Sequence, residues 1–271
     1  MARTALRPTI VLPFLIVGFL TFFLVRALFE ASTQPTPDVV VRDRFDRNVA
    51  EGWGAASFGG PFVLSGTKSD YTVTAGAGVM AVPGAGVARR ALVRDALVRD
   101  ADLSFRIGLE SAPTGGGSFV YGVLRQNAGV GEYRAKIRFA PTGAVYIGMT
   151  AIEGERERPL GEESRVPELS YSFGSMVNVR CRIEGTKPAT IRLKVWSTDQ
   201  PEPVGWNLRT QDSGIGLDQP GSLGIQVYAS RTTSAFPVRF LFDDLEARSL
   251  PDPAAGAGSP AAGEHPSTSR P

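Results

Sequence analysis

The sequence predicts an all-β fold, a two-sheet antiparallel sandwich preceded by one N-terminal transmembrane helix. Three observations carry this. Apolar and polar residues alternate over many short runs, and a period of two belongs to strands with one buried face. The 31 Gly and 20 Pro suit the tight turns that many short strands need. The only Cys, Cys181, allows no internal disulfide, so stability has to come from a hydrophobic core.

The clearest stretch is Met176–Ser197. Val177, Val179, Cys181 and Ile183 alternate with Asn178, Arg180, Arg182 and Glu184. Beyond Gly185, Thr186, Lys187 and Pro188, the residues Ile191, Leu193 and Val195 alternate with Arg192, Lys194 and Trp196. This is a hairpin with one basic face and one apolar face. The apolar face calls for a second layer.

In chain order, residues 1–29 carry Arg3 and Arg7, then the charge-free run Thr9–Val25, with apolar character resuming after Arg26. That is long enough to span a bilayer and is read as an uncleaved signal anchor with its N-terminus in the cytoplasm. A cleaved signal peptide is the alternative, though no clear cleavage site follows. Residues 30–37 form an extended linker, 38–250 the sandwich, and 251–271 a Pro/Ala/Gly/Ser tail expected to be disordered. The expected location is a cell membrane, single-pass, with the folded domain extracytoplasmic.

Within the sandwich, Val39–Arg42, Tyr71–Thr74 and Val79–Val82 read as short strands around turn-rich glycines. The pentapeptide ALVRD occurs at Ala91–Asp95 and again at Ala96–Asp100, as a short helical turn or a surface strand. Leu103–Leu109 alternates. Ser118–Gln126 is apolar in both phases, as in a central strand. Tyr133, Ala135, Ile137 and Phe139 alternate with Arg134, Lys136 and Arg138, and Ala144–Ile152 follows. Glu153–Arg165 reads as a charged loop or hairpin tip. After the hairpin come Leu208–Thr210, Ser222–Tyr228 and Val238–Ala247, giving about 12–14 strands in consecutive hairpins.

Composition excludes several functions. Net charge is +2, which is no footprint for nucleic acid unless the charge clusters. The only His, His265, lies in the tail, so the folded part of this chain holds no Ser-His-Asp or Cys-His machinery and no His-ligated zinc. Cys181 falls on the apolar side of its strand, as a buried small hydrophobe does.

The run Asp43-Arg44-Phe45-Asp46-Arg47, then Gly52-Trp53-Gly54 and Gly59-Gly60, resembles the opening of concanavalin A-like lectin/glucanase (laminin-G-like) jelly-roll domains of actinobacterial surface proteins. The likeness continues through Tyr133-Arg134-Ala135-Lys136, Lys194-Val195-Trp196, Glu202-Pro203 and Trp206 to Phe242-Asp243-Asp244-Leu245. It covers about residues 40–248, and Phe62 stands where the resemblance leads one to expect Trp. The resemblance implies a sandwich that often binds glycans, sometimes with a structural calcium ion. It also covers laminarinase- and lichenase-type hydrolases, which use alternating carboxylates on one strand.

Three candidate sites follow. Arg134, Lys136, Arg180, Arg182, Arg192 and Lys194, with Trp196 beside them, share one basic sheet surface if their strands are neighbours. Such a surface suits an anionic envelope polymer. Asp43 or Asp46 on the first strand and Asp243 or Asp244 on the last would meet at a calcium ion if those strands pair. Glu153, Glu155 and Glu157 form the one alternating acidic run, but Gly154 and Arg156 separate them where a core strand needs apolar anchors.

The function expected from the sequence is a membrane-anchored, non-catalytic module that binds a polysaccharide or glycoconjugate. The alternatives are a structural or protein-interaction domain of the envelope, and a glycoside hydrolase of the laminarinase type.

Overall fold

The computed structural model describes residues 37–214 and 216–251. The expected membrane anchor and most of the tail lie outside the described residues. Among those residues, no helix is long and apolar enough to cross a membrane.

Among the described residues sixteen strands, β1 to β16 in chain order, form two antiparallel sheets. The first sheet runs β14 (Leu208–Asp212), β13 (Ala189–Ser197), β12 (Met176–Glu184), β6 (Ala101–Leu109), β16 (Val238–Ser249), β4 (Ala77–Val82) and β3 (Tyr71–Thr74). In it β1 (Asp38–Asp43) shares one edge of β16 with β4. The second sheet runs β10 (Arg156–Pro159), β9 (Ala144–Glu153), β8 (Gly131–Phe139), β7 (Ser118–Asn127), β15 (Gly221–Ala229), β5 (Ala88–Val98) and β2 (Phe62–Ser65). There β11 (Ser164–Ser170) also pairs with β9.

The organising hairpin is β12–β13, in register from Val177 opposite Ser197 to Glu184 opposite Thr190. Its apolar residues are all buried, beside Leu103, Phe105 and Ile107 of β6. The facing layer is Tyr133, Ala135, Ile137 and Phe139 of β8 with Val145, Ile147 and Met149 of β9. The two ALVRD copies form strand rather than helix, running through β5 into the turn at Arg99-Asp100.

β16 keeps its core phase across an irregularity between Asp243 and Glu246. Phe240, Phe242, Leu245 and Ala247 are all buried, so one residue has been inserted between Phe242 and Leu245. Asp244 takes φ +46, a left-handed conformation Asp tolerates, and both aspartates emerge on the outer side. At one end of the core Trp53 packs edge-on against Phe45, Phe62, Tyr71 and Phe242. It also donates from Nε1 to Val79 O at 2.9 Å. Phe62 therefore serves the core.

Cys181 is fully buried, and burial pushes its thiol well above the usual range. It faces Gly122 of β7, where an added Cβ would stand 2.6 Å from the sulfur. Gly122→Ala is expected to destabilise the fold by about 1–3 kcal/mol through overpacking. Adding Cys181→Ala should recover most of the loss in urea melts. A Gly122→Ala protein as stable as the parent would show that the sheets separate freely there.

Three residues further along β7, Arg125 adopts φ +51 where the register with β8 breaks between Leu124 and Asn127. Its side chain is entirely buried. The guanidinium donates to Arg99 O (2.5 Å), Leu217 O (3.2 Å), Gly185 O (2.6 Å) and Asp100 Oδ1 (2.9 Å). One side chain thus ties three turns to the core.

Candidate functional site

The structure divides the expected basic face. Arg180 and Arg182 on β12 and Arg192, Lys194 and Trp196 on β13 lie on the outer side of the first sheet. Arg134 and Lys136 lie on β8 in the second sheet. Alternation assigns each side chain to the outside of its own strand correctly, but the two groups stand on opposite faces of the sandwich.

On the first sheet the cations are neutralised. Asp102 accepts from Arg180 Nε and Nη2 at 2.8 and 2.7 Å and from Arg182 Nε at 2.8 Å. Glu202 pairs with Arg180 and with Lys194, both at 2.6 Å, and Arg192 pairs with Glu184. Lys194 is only 4% exposed. It donates to Pro203 O at 2.7 Å and lies 4.8 Å from the centre of the Trp206 ring, so it clamps the loop after β13. A groove of about 380 Å³ runs along this face beside Trp196. Its lining balances Arg106, Arg180, Arg182 and Arg248 against Asp102, Glu202, Asp244 and Glu246, and a balanced lining does not attract a polyanion.

Burial would raise the Asp102 carboxyl, yet Arg180 and Arg182 hold it below the usual carboxylate range. A depressed folded value adds stability above the unfolded value near 3.9, lost as pH falls through the folded one. The stability gap between the parent and Asp102→Asn is therefore expected to be full at pH 7 and to shrink on acidification below about pH 4. A gap independent of pH in urea melts would remove the ion triplet from the account.

The aspartates proposed for calcium are brought near one another by the β1–β16 pairing, as expected. The donor set does not fit the ion. Both Asp43 oxygens accept from Arg47, at 2.7 and 2.8 Å, and Oδ1 also accepts from Phe45 N and Ser57 Oγ. Asp243 and Asp244 share Arg106 at 2.6 and 2.8 Å, and Asp46 is exposed. Burial first, then the charges of Asp244 and Asp46, raise Asp243 against the pull of Asp244 N–H and Arg106. Among the described residues no group of three metal-ligating side chains stands together.

The acidic run is a hairpin tip. Glu157 pairs in register with Ile152, and Arg156 with Glu153, so Glu153 and Glu157 emerge on opposite faces. Glu153 is paired with Arg158 at 2.7 Å. They cannot flank one glycosidic bond at the separation of about 5–5.5 Å that retaining hydrolysis uses.

The outer side of the second sheet is different in kind. Sheets that face water carry polar residues outward. Here the central strand β7 presents Phe119, Tyr121 and Val123, and β15 presents Gly224, Gln226 and Tyr228, with no charge among them. Phe119 stacks on Tyr121 with ring centres 6.5 Å apart and packs on Tyr228 at 5.7 Å. Tyr121 is 8% exposed. Burial, then the charge of Glu157, push its hydroxyl up, with Arg134 opposing. Arg134 lies 5.7 Å from the Tyr121 ring centre and Arg138 lies 4.1 Å from that of Tyr146. Buried Glu132 accepts from Arg90 at 2.8 and 2.6 Å and from Arg134 at 2.5 Å, while Arg90 also donates to Gln226. A groove of about 190 Å³ opens beside Arg90, Glu132 and Arg134.

Phe119, Tyr121, Tyr146 and Tyr228 are not distinguished by the alternation pattern. The available signal is that Ser118–Gln126 is aromatic in its outward phase, which a central strand needs only if something covers that face.

No family model matches the sequence, and no curated protein matches it. Among solved structures it is similar to a prokaryotic β-1,3-1,4-glucanase (lichenase) derived from a mouse hindgut metagenome. Identity is 14%, covering 77% of this chain and 98% of that one, with a TM-score of 0.50. The exoplasmic/lumenal domain of VIP36, in its Ca2+/Man3GlcNAc-bound form, is 8% identical over 72% of this chain and 88% of that one, with a TM-score of 0.48. The carbohydrate-binding module CBM66 from Bacillus subtilis is 10% identical over 64% and 86%, with a TM-score of 0.42. At these identities the lichenase likeness speaks for the fold, a two-sheet jelly roll, and for nothing finer.

Proposed function

We propose that this protein is a non-catalytic carbohydrate-binding module whose contact surface is the outer side of the second sheet. The observation that carries this is the uncharged strip of Phe119, Tyr121 and Tyr228 across β7 and β15, with no role in the core between the sheets. Phe119 and Tyr228, half-buried on either side of buried Tyr121, offer flat apolar area at little entropic cost, which suits the C–H faces of sugar rings. Gln226, Arg90 and Arg134 at its border supply hydrogen-bonding groups for hydroxyls. The anchor read from the sequence would hold the module at the outer surface of a membrane. The balanced ion pairs on the first sheet favour a second reading, a protein-interaction face there.

The test is binding of the full chain to a panel of insoluble and soluble polysaccharides. Retention on at least one is expected. No retention on any would leave the protein-interaction reading standing.

A further inference from the structure

We propose that Arg134 and Arg138 are two carboxylate-reading forks, and that the polymer bound on the second sheet is an acidic polysaccharide bearing sugar carboxylates. This rests on the reading that this face binds carbohydrate.

The two arginines are built alike. Arg134 gives Nε to Glu132 Oε1 at 2.5 Å and lies over Tyr121; Arg138 gives Nε to Glu163 Oε1 at 2.7 Å and lies over Tyr146. Both side chains are largely buried, 16% and 22% exposed. In each, Nη1 and Nη2 have no acceptor among the described residues. A guanidinium tied down through Nε presents its end as a fixed pair of donors, and that pair matches the two oxygens of a carboxylate. A glutamate and a tyrosine hold each fork in place, so little side-chain entropy remains to be lost on binding.

The surroundings agree. Arg90, Arg134, Lys136, Arg138 and Arg165 stand on the same face as Glu132, Glu157 and Glu163, five cations to three carboxylates, unlike the balanced groove of the other sheet. Thr150 of β9, the register partner of Arg134, is 3% exposed, and its hydroxyl has no hydrogen-bond partner among the described residues. An orphaned buried hydroxyl calls for an explanation, and an oxygen brought to Arg134 would supply one. The forks are four residues apart on one strand, about 13 Å, so a polymer with repeated acidic sugars engages both.

The test uses the full chain with three probes: polygalacturonate, the same polymer with its carboxyls reduced to alcohols, and polyphosphate. Polygalacturonate is expected to bind about tenfold or more tighter than the reduced polymer. The double variant Arg134→Lys with Arg138→Lys keeps the charge and loses the forks. It should lose that margin, binding the native and the reduced polymer about equally, while a cooperative melt shows that it still folds. A margin that survives in the lysine variant overturns the forks, and polyphosphate binding as tightly as polygalacturonate overturns the assignment to sugar carboxylates, since a fork also fits phosphate oxygens. Equal binding of the native and reduced polymers overturns the forks and leaves the carbohydrate reading intact. Failure to bind any sugar polymer overturns both.

Discussion

Arg125→Met is expected to destabilise the sandwich by about 3–5 kcal/mol, the usual cost of removing one partner from a buried ion pair. The charge it leaves is Asp100, 3% exposed, whose Oδ1 would keep only the Gly185 N–H at 2.9 Å and whose Oδ2 would keep the longer contact to Arg99 at 3.5 Å. Three backbone carbonyls, of Arg99, Gly185 and Leu217, would lose their donor together, and buried acceptors left unpaired cost about 1–3 kcal/mol each. Burial also depresses the guanidinium, with Asp100 acting the other way, so the site is one where desolvation is severe. At about 2–4 °C per kcal/mol for a domain of this size, the Tm should fall by roughly 10 °C. Arg125→Met with Asp100→Leu should recover part of this, because an apolar pair leaves no buried charge. A single-variant loss under about 1 kcal/mol would mean that water reaches Arg125 and that the three turns hold without it.

The second large effect is on binding. Tyr121→Ala is expected to weaken polysaccharide binding at least tenfold, since its ring, itself only 8% exposed, holds Phe119 and Arg134 in place at the centre of the contact surface. Tyr121 is the middle of the strip, in contact with Phe119 and bordered by Arg134. Trp196→Ala on the other sheet is the comparison, because Trp196 lines the groove that sequence reasoning favoured. Affinity electrophoresis of the two variants decides between the faces. Loss in Trp196→Ala with Tyr121→Ala unaffected would move the site to the first sheet.

The period-two alternation was enough to assign strand and side. It placed Val177, Val179, Cys181 and Ile183 in the core and Arg180 and Arg182 outside, and both assignments hold. It carries no information about which sheet a strand joins. The chain passes from β11 in one sheet to β12 in the other, so β8 and β12 look alike in sequence and face opposite ways in space. Three short strands are not anticipated: β2, whose phase is mixed, and β10 and β11, whose residues are mostly charged or polar. The last two lie beside β9, where pairing rather than burial makes the strand. The aspartates of β16 fall inside the strand expected over Val238–Ala247 but mark an inserted residue in mid-strand, visible in the sequence only as the odd step from Phe242 to Leu245.

Because Asp38 is the register partner of Ser249, the chain enters and leaves this domain at neighbouring points on one edge of β16. A load applied between the two ends would open the β1–β16 pair one bond at a time before reaching the core. Both ends of the domain thus lie in the first sheet, and the second sheet carries neither.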